Sequence, residues 1–430
     1  MQTQSDGGRC SKPIVFHETT LRDGEQTPGV SFFQHEKLQM AQAIAQMLPG
    51  CVLDAGYPAI SEDEARAVRL IAAEVRDAQV FCVARAIRKD VEQAWSVLEE
   101  AESPRVCSIL PISDLLLRCK MGGMSRQEAV RRAVDAVTWA RLASHDCAKV
   151  DFALEDATRA DEDFACEITA AVVEAGAEII FVCDSLGVSL PHEFAGLISK
   201  IHRAVPTATL AAHTHNDLGL AVANTLAAVD AGATVVSSSM NGLGERAGNA
   251  ATEELMVALM LRRDHYRCDF RGDAARILDV SRMVAEFSGI HPHAVKPIVG
   301  EVTVGVRETG PQVDGIFEQP ETYEGIPPEL LGLPALPDGL RIIVGKKSSR
   351  GAVARKLAQL GVSASTEEAL ALFRKVKDVS AYKKAFSDDD LLAMFREVQA
   401  PLDVREPAAP RLVIEPAGSE QLPHRELVGS

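Results

Sequence analysis

A (β/α)8 barrel followed by a smaller, mostly helical region is the α/β fold that this sequence predicts, on three observations. From residue 13 to about 263, short β-branched or apolar runs alternate with longer amphipathic stretches rich in Ala, Glu and Arg. Eight such runs occur, and eight parallel strands close a barrel of about this length. No GxGxxG follows the first run, which weakens the alternative of an open doubly wound sheet built to bind a dinucleotide.

The strand candidates are Ile14–His17, Val52–Ala55, Val80–Ala84, Val106–Pro111, Lys149–Glu155, Glu178–Asp184, Thr209–His215 and Thr234–Ser239. Their near-continuous apolar character suits parallel strands covered on both faces. Helical periodicity lies between them, at His35–Met47, Glu62–Val75, Arg126–Ala143, Glu162–Val173 and Leu218–Ala231. Past the barrel, Ala275–Ser288 reads as a helix and Val299–Pro334, rich in Gly and Pro, as an irregular linker. A second helical region runs from Arg350 to about Val398, with an N-cap and first turn at Ser365-Thr366-Glu367-Glu368. The expected organisation is a barrel over 13–270, a linker and accessory subdomain over 271–345, a helical subdomain over 346–400 and a flexible tail over 401–430.

The net charge of −16 is carried without any dense Lys/Arg run, which argues against a nucleic-acid or anionic-membrane partner. No apolar run approaches the ~20 residues that span a bilayer, and the opening MQTQSDGGRCSKP lacks a signal-peptide pattern. Nine cysteines without CxxC spacing imply neither a disulfide framework nor a structural zinc site. Cys82, Cys107 and Cys183 fall inside strand runs as buried, inert thiols, and the expected compartment is a reducing cytoplasm.

Chemistry on such a barrel sits at the C-terminal ends of the strands, and polar residues gather there. The first strand runs into Thr20-Leu21-Arg22-Asp23-Gly24-Glu25-Gln26. The fourth ends near Ser113, the fifth at Glu155-Asp156 and the sixth at Cys183-Asp184-Ser185. The seventh ends in His213-Thr214-His215, and Asn241 to Asn249 follow the eighth. Residues two apart on a strand share a face, so both imidazoles project together. Two imidazoles and a carboxylate can hold one divalent ion with positions open for substrate. Asp23 is the matching carboxylate in kind, and Asn249 could add a carbonyl oxygen; the alternative is a pair of histidines satisfied in a polar barrel mouth. Arg22 is placed either to stabilise an oxyanion or to make a rim ion pair, and Glu155 and Asp156 either to act as base or to pair with a cation. Glu245 and Arg246 read as a structural pair shaping their loop.

HETTLRDGEQTPG (17–29), DAGYPAISEDE (54–64), DFALEDATRAD (151–161), HTHNDLGLAVANTLAAVDAGA (213–233) and NGLGERAGNAATEEL (241–255) together resemble the acetyl-CoA-dependent 2-oxoacid condensing enzymes, namely homocitrate, isopropylmalate and citramalate synthases. The resemblance covers roughly residues 13–350 and is greatest to homocitrate synthase-like members. It implies a divalent metal (zinc, manganese, magnesium or cobalt) on Asp23, His213 and His215 with Asn249 nearby. It also implies catalytic roles for Arg22 and Glu155, acetyl-CoA as co-substrate, and a homodimer. In such enzymes the acetyl-CoA enolate attacks the oxoacid carbonyl and the thioester is then hydrolysed.

Beyond the barrel the match is partial. Gln312, in Arg307–Gly315, stands where the family pattern HESGIHVDG has its final histidine, and an amide does not titrate near neutral pH. Tyr323 matches a family tyrosine, and is expected to be the proton-transfer group supplied from outside the barrel. Gly345-Lys346-Lys347-Ser348-Ser349 departs from a GKHSG-like pattern. The fourth-strand segment CSILPISDLLLRCK suggests an oxoacid with a second anionic group, to be met by Arg85, Arg88, Ser113 or Arg118; Gln26, Ser185 and Gln312 complete the candidate substrate contacts. A phosphono- or phosphinopyruvate substrate is a related expectation. No regulatory domain of the leucine-pathway type is seen after this region, so feedback control of that kind is not expected. Two rivals are a hydroxymethylglutaryl-CoA-type lyase, disfavoured because Asn241–Asn249 carries no cysteine, and an inactive binding barrel.

Overall fold

The computed structural model describes residues 12–400. Eight parallel strands close into a barrel in chain order: β1 (Val15–Glu18), β2 (Val52–Gly56), β3 (Gln79–Arg85), β4 (Pro104–Pro111), β5 (Lys149–Glu155), β6 (Ile179–Asp184), β7 (Thr209–Thr214) and β8 (Val235–Ser238). Closure is made by β1 and β8, where Val15 to Glu18 stand opposite Val235 to Ser238. All eight expected strands are present, and the largest boundary shift is β4 starting at Pro104 rather than Val106. Alternation sorts their side chains. Val52, Phe81, Val83, Cys107, Ala153, Phe181, Cys183 and Ala211 form an inner cluster. Their neighbours Leu53, Val80, Cys82, Val106, Phe152, Ile180, Val182 and Ala212 join the larger core under the helices.

Those helices are α1 (Gln34–Met47), α2 (Glu62–Glu74), α3 (Arg88–Ser96), α4 (Asp114–Cys119), α5 (Arg126–Ala143), α6 (Glu162–Glu174), α7 (Pro191–Ala204), α8 (Ala221–Ala231) and α9 (Thr252–Leu261), followed by the short α10 (Arg263–Tyr266). Their starts are set by capping: Ser61, Ser125 and Asp161 accept from the backbone N–H three residues on, each cap worth ~1 kcal/mol. Buried Ala129, Ala133, Ala136, Val137 and Ala140 give α5 a small-residue stripe, so it lies close on the sheet. Lys12–Pro13 pairs in parallel with Cys268–Asp269 beside the barrel's N-terminal end.

After the barrel, α11 (Ile277–Ser288) packs on α1. The segment expected to be irregular, Val299–Pro334, contains a nine-residue helix, α12 (Gly310–Glu318). Proline in a first helical turn removes only an N–H that has no partner there, so Pro311 is no obstacle. Gly315 is required inside it, because a Cβ would stand 2.8 Å from the Tyr323 ring. The chain divides into two compact units. One runs to Arg307 and includes Pro311–Ile342; the other holds Glu308–Gly310 and the chain from Ile343. The second unit contains α13 (Arg350–Gln359), α14 (Thr366–Val379) and α15 (Asp388–Gln399). At the expected cap Ser365 accepts from Glu368 N while Glu368 accepts from Ser365 N, a reciprocal capping box. The expected tail, 401–430, lies outside the described residues. Among the described residues the cysteines are unbridged, and no helix is long and apolar enough to cross a membrane.

Candidate active site at the barrel mouth

The turn after β1 puts two charged residues over the barrel axis. The N–H groups of Arg22, Asp23 and Gly24 all return to Thr19 O, at 3.2, 2.9 and 3.0 Å. Arg22 is then tied down by Nε to Asp54 Oδ2 at 2.7 Å and by Nη1 to Asp23 Oδ2 at 3.1 Å. His213 closes β7, with Nε2 3.4 Å from Asp23 Oδ2. His215, two residues on, forms an isolated bridge with Asn249, and its ring meets that of His213 edge-on at 5.1 Å. Ligand atoms of Asp23, His213 and His215 all lie within 4.8 Å of one another, and all three residues are buried.

The electrostatics match the form a cation would need. Burial pushes the Asp23 carboxyl up, but Arg22 and the two imidazoles outweigh it and hold it well below the usual carboxylate range. Burial, then His213, pulls His215 down to about 4, so its ring is neutral at pH 7. Burial works against the charge of Arg22 and is outweighed by Asp54 and Asp23. Two polar atoms of the group are buried without a partner: His215 Nδ1 and Asn249 Oδ1. Asn249 Nδ2 donates to Leu243 O at 3.0 Å, which leaves that oxygen as the free end of the amide. An unsatisfied buried polar atom costs ~1–3 kcal/mol, so this donor set fits a divalent cation better than it fits an empty core.

A cavity of about 590 Å³ opens above the group. Phe81, Val83, Cys107, Ile109, Ala153, Phe181 and Cys183 give it an apolar wall. Gln26, Arg85, Lys120, Arg132, Glu155, Ser185 and Glu245 give it a polar rim. Glu155 ends β5 and is held by Lys120 Nζ at 2.6 and 2.9 Å. Gln26 accepts from Arg22 Nη1 at 3.4 Å. Arg85 is paired with Asp90 at 2.6 Å, while Arg132 has no acidic partner among the described residues.

Other candidates stand elsewhere. Ser113 caps α4 and donates to Asp156 Oδ2, outside the cavity lining. Asp156, left-handed at φ 62°, is paired with Arg159 at 2.7 Å. Arg88 pairs with Glu92 on the surface, and Arg118 lies on α4 outside the lining. Gln312 and Tyr323 do not line the cavity of their own chain; Tyr323 is 46% exposed. The expected Glu245–Arg246 pair forms at 3.2 Å, and Arg246 also holds Asp217 at 2.8 Å.

Four further side chains escaped sequence reasoning: His17, Glu18, Asp54 and Ser237. His17 Nδ1 lies 2.8 Å from Ser237 Oγ, which lies 2.9 Å from His213 Nδ1. Burial first, then Arg22, drives the His17 pKa well below its usual value. Burial raises the Asp54 carboxyl, while Arg22 and Thr19 work against it. The available signal was strand parity: His17 and Ser237 share the inward face of Val15 and Val235.

Residues 13–284 match the model of the HMGL-like family, and residues 298–384 match the homocitrate synthase post-HMGL domain-like model. The 2-isopropylmalate synthase of Pyrococcus furiosus is 40% identical over 390 residues, 90% of this chain and 76% of that protein. That of Carboxydothermus hydrogenoformans is 41% identical over 387 residues, 89% of this chain and 74% of that protein. For 2-isopropylmalate synthase 1 of Caldanaerobacter subterraneus the figures are 39%, 389 residues, 90% and 96%. Among solved structures, the HMG-CoA lyase of Bacillus subtilis superposes with a TM-score of 0.57 at 18% identity, covering 67% of this chain and 97% of that one. That of Pseudomonas aeruginosa gives 0.55 at 20%, covering 66% and 95%. At such identities the likeness is one of fold.

Proposed function

The chain belongs to the HMGL-like family, in the group that includes the 2-isopropylmalate synthases, and on that premise we propose that it joins acetyl-CoA to the carbonyl carbon of a 2-oxoacid and releases CoA. It is thus an acyltransferase that turns an acetyl group into an alkyl group. The observation that carries the reading is the buried set Asp23, His213 and His215, with Asn249 Oδ1 unpartnered beside it, under a cavity with one apolar wall. A divalent ion on those residues would supply Lewis-acid polarisation of the oxoacid carbonyl. Arg22, locked by Asp54 and Asp23, presents a fixed positive charge where an alkoxide develops, so it costs no reorganisation during the reaction. Glu155, held on the rim by Lys120, is the proton-transfer group in this reading. The apolar wall excludes water from an enolate.

The relatives' names point to an oxoacid with a branched aliphatic side group, which the wall of Phe81, Val83, Ile109 and Phe181 would receive. One observation favours the second reading, an oxoacid with a distal anion. Arg132 reaches the cavity unneutralised, whereas Arg85 and Lys120 are spoken for. Free thiol released from acetyl-CoA across branched, dicarboxylic and phosphonylated 2-oxoacids separates the two. Arg132→Ala should abolish turnover only of a substrate with a second, distal anion. His213→Ala should lose the bound divalent ion and lower kcat by at least ~10². No thiol release with any oxoacid, or full ion occupancy in that variant, would sink the proposal.

A further inference from the structure

Six side chains form a closed ring, four of them lining the cavity, and the reaction as proposed uses only half of it. His213 Nδ1 lies 2.9 Å from Ser237 Oγ, and Ser237 Oγ 2.8 Å from His17 Nδ1. His17 Nε2 lies 3.7 Å from Asp54 Oδ2 and has no hydrogen-bond partner. Arg22 then joins Asp54 at 2.7 Å to Asp23 at 3.1 Å, and Asp23 Oδ2 returns to His213 Nε2 at 3.4 Å.

Ser237 has one hydroxyl proton and touches two imidazole nitrogens, and each neutral ring carries one N–H. The protons can therefore be arranged around the ring in two senses. In the first, His213 donates from Nδ1 to Ser237, Ser237 donates to His17 Nδ1, and His17 keeps its proton on Nε2, facing Asp54. In the second, every donor is reversed: His213 carries its proton on Nε2, facing Asp23, and His17 turns a bare Nε2 towards Asp54. Asp54 Oδ2 already accepts from Arg22 Nε and from Thr19 Oγ1 at 2.9 Å, so it offers a lone pair and nothing to donate. The second sense thus sets His17 Nε2 and Asp54 Oδ2 against each other as acceptors at 3.7 Å, and the first does the same to His213 Nε2 and Asp23 Oδ2 at 3.4 Å until a cation lies between them. The first leaves His213 Nε2 bare, which is the state a cation requires.

We propose that His17 is a positioning residue which, through Ser237 and against Asp54, lowers the cost of the His213 tautomer whose Nε2 binds a divalent ion. This rests on the metal reading above and deepens it. His17 lines the cavity with the ion's ligands but shares no hydrogen bond with them; it acts by fixing the direction of one shared hydroxyl proton.

The test is the affinity of the purified full chain for Mn²⁺, measured by electron paramagnetic resonance, together with ¹⁵N-histidine spectra of the protein loaded with diamagnetic Mg²⁺. In H17F the Ser237 proton is released to His213 Nδ1. Phenylalanine suits a position whose ring already meets Phe81 at 4.8 Å and Phe181 at 4.6 Å. The expected result is ~10–100-fold weaker Mn²⁺ binding. H17N, whose amide oxygen accepts from Ser237, should recover part of the loss. Unchanged Mn²⁺ affinity in H17F, with the wild type binding normally, overturns this inference alone; a wild type that binds no divalent ion overturns the metal reading as well. The spectrum of the Mg²⁺-loaded wild type decides without any variant: the His17 proton on Nε2 supports the inference, and on Nδ1 overturns it.

Discussion

Glu18 follows His17 on β1 and points the other way, out of the barrel interior, where its carboxyl collects four donors. They are Thr20 N at 3.1 Å, Thr20 Oγ1 at 2.6 Å, Met240 N at 3.1 Å and Thr252 Oγ1 at 3.2 Å. One carboxyl thus ties the turn bearing Arg22 and Asp23 to the loop bearing Asn249. Burial raises its pKa from 4.5 to about 7, against the pull of those hydrogen bonds. A carboxyl raised in the folded state binds its proton more tightly there than in the unfolded chain. Its contribution is therefore complete below about 4.5 and is lost as pH rises through about 7. Urea unfolding of wild type and Glu18→Gln at pH 5 and pH 8 should show the wild type losing about 2–4 kcal/mol relative to the variant over that interval. A difference that does not change with pH would show that Glu18 remains ionised throughout. At this scale the sequence was uneven. Arg22, Asp23, His213 and His215 stood out because they interrupt the chain where strands end, and parity put both imidazoles on one face. Glu18, Asp54 and Ser237 lie within or beside strand runs, and their partners are remote: Ser237 is 220 residues from His17. Only closure of β1 on β8 creates that contact.

Among the elements, the loop from Met240 to Asn249 holds five residues at positive φ, and Gly244 shows what one of them permits. Its φ is +151°, and a Cβ there would stand 2.2 Å from Asn249 Nδ2 and 3.2 Å from Asp23 Oδ1. Glycine lets the loop lie directly on two candidate ligands. Gly244→Ala should carry a backbone strain of ~1–3 kcal/mol and also weaken divalent-ion binding by ~10-fold or more as Asn249 is displaced. Gly50→Ala is the control: its φ is +84°, with nothing within 4 Å of the added Cβ. It should lower the melting temperature comparably and leave ion affinity unchanged. Equal ion binding by all three proteins would remove Asn249 from the site. The barrel strands were legible because each apolar run is short and punctuated, and α14 because Ser365 and Glu368 spell out a capping box. Helix α12 was not, because Gly310, Pro311 and Gly315 are helix-weakening in isolation. In the fold Pro311 falls in the first turn, where it costs little, and the Tyr323 ring lies against Gly315.

At the scale of the molecule, the barrel mouth carries apolar side chains that the chain itself leaves uncovered. Phe33, Ile60, Ile87, Leu115, Leu186 and Leu218 are exposed, and they follow β1, β2, β3, β4, β6 and β7 respectively. A second copy of the chain would cover such side chains on forming a dimer. Tyr323, the expected proton-transfer group, is absent from its own chain's cavity lining. If it acts, it acts on the site of another copy, which makes the active unit a dimer with sites shared between subunits. Tyr323→Phe should then lower kcat by ~10²–10⁴ while oxoacid affinity is little changed, and Gln312→Ala should cost less. A mixing experiment identifies whose tyrosine is used. Tyr323→Phe has an intact barrel and no phenol; His213→Ala has the phenol and no intact barrel. Co-refolded or subunit-exchanged, the two inactive variants form heterodimers in which one site combines the good barrel of one subunit with the tyrosine of the other. Activity should return to about a quarter of wild type, since half of the randomly assorted dimers are mixed and each has one competent site. Sedimentation should show a dimer throughout. A monomer with full activity would exclude shared sites, a Tyr323→Phe enzyme at wild-type kcat would reduce the tyrosine to packing over Gly315, and no recovery on mixing would confine it to its own chain.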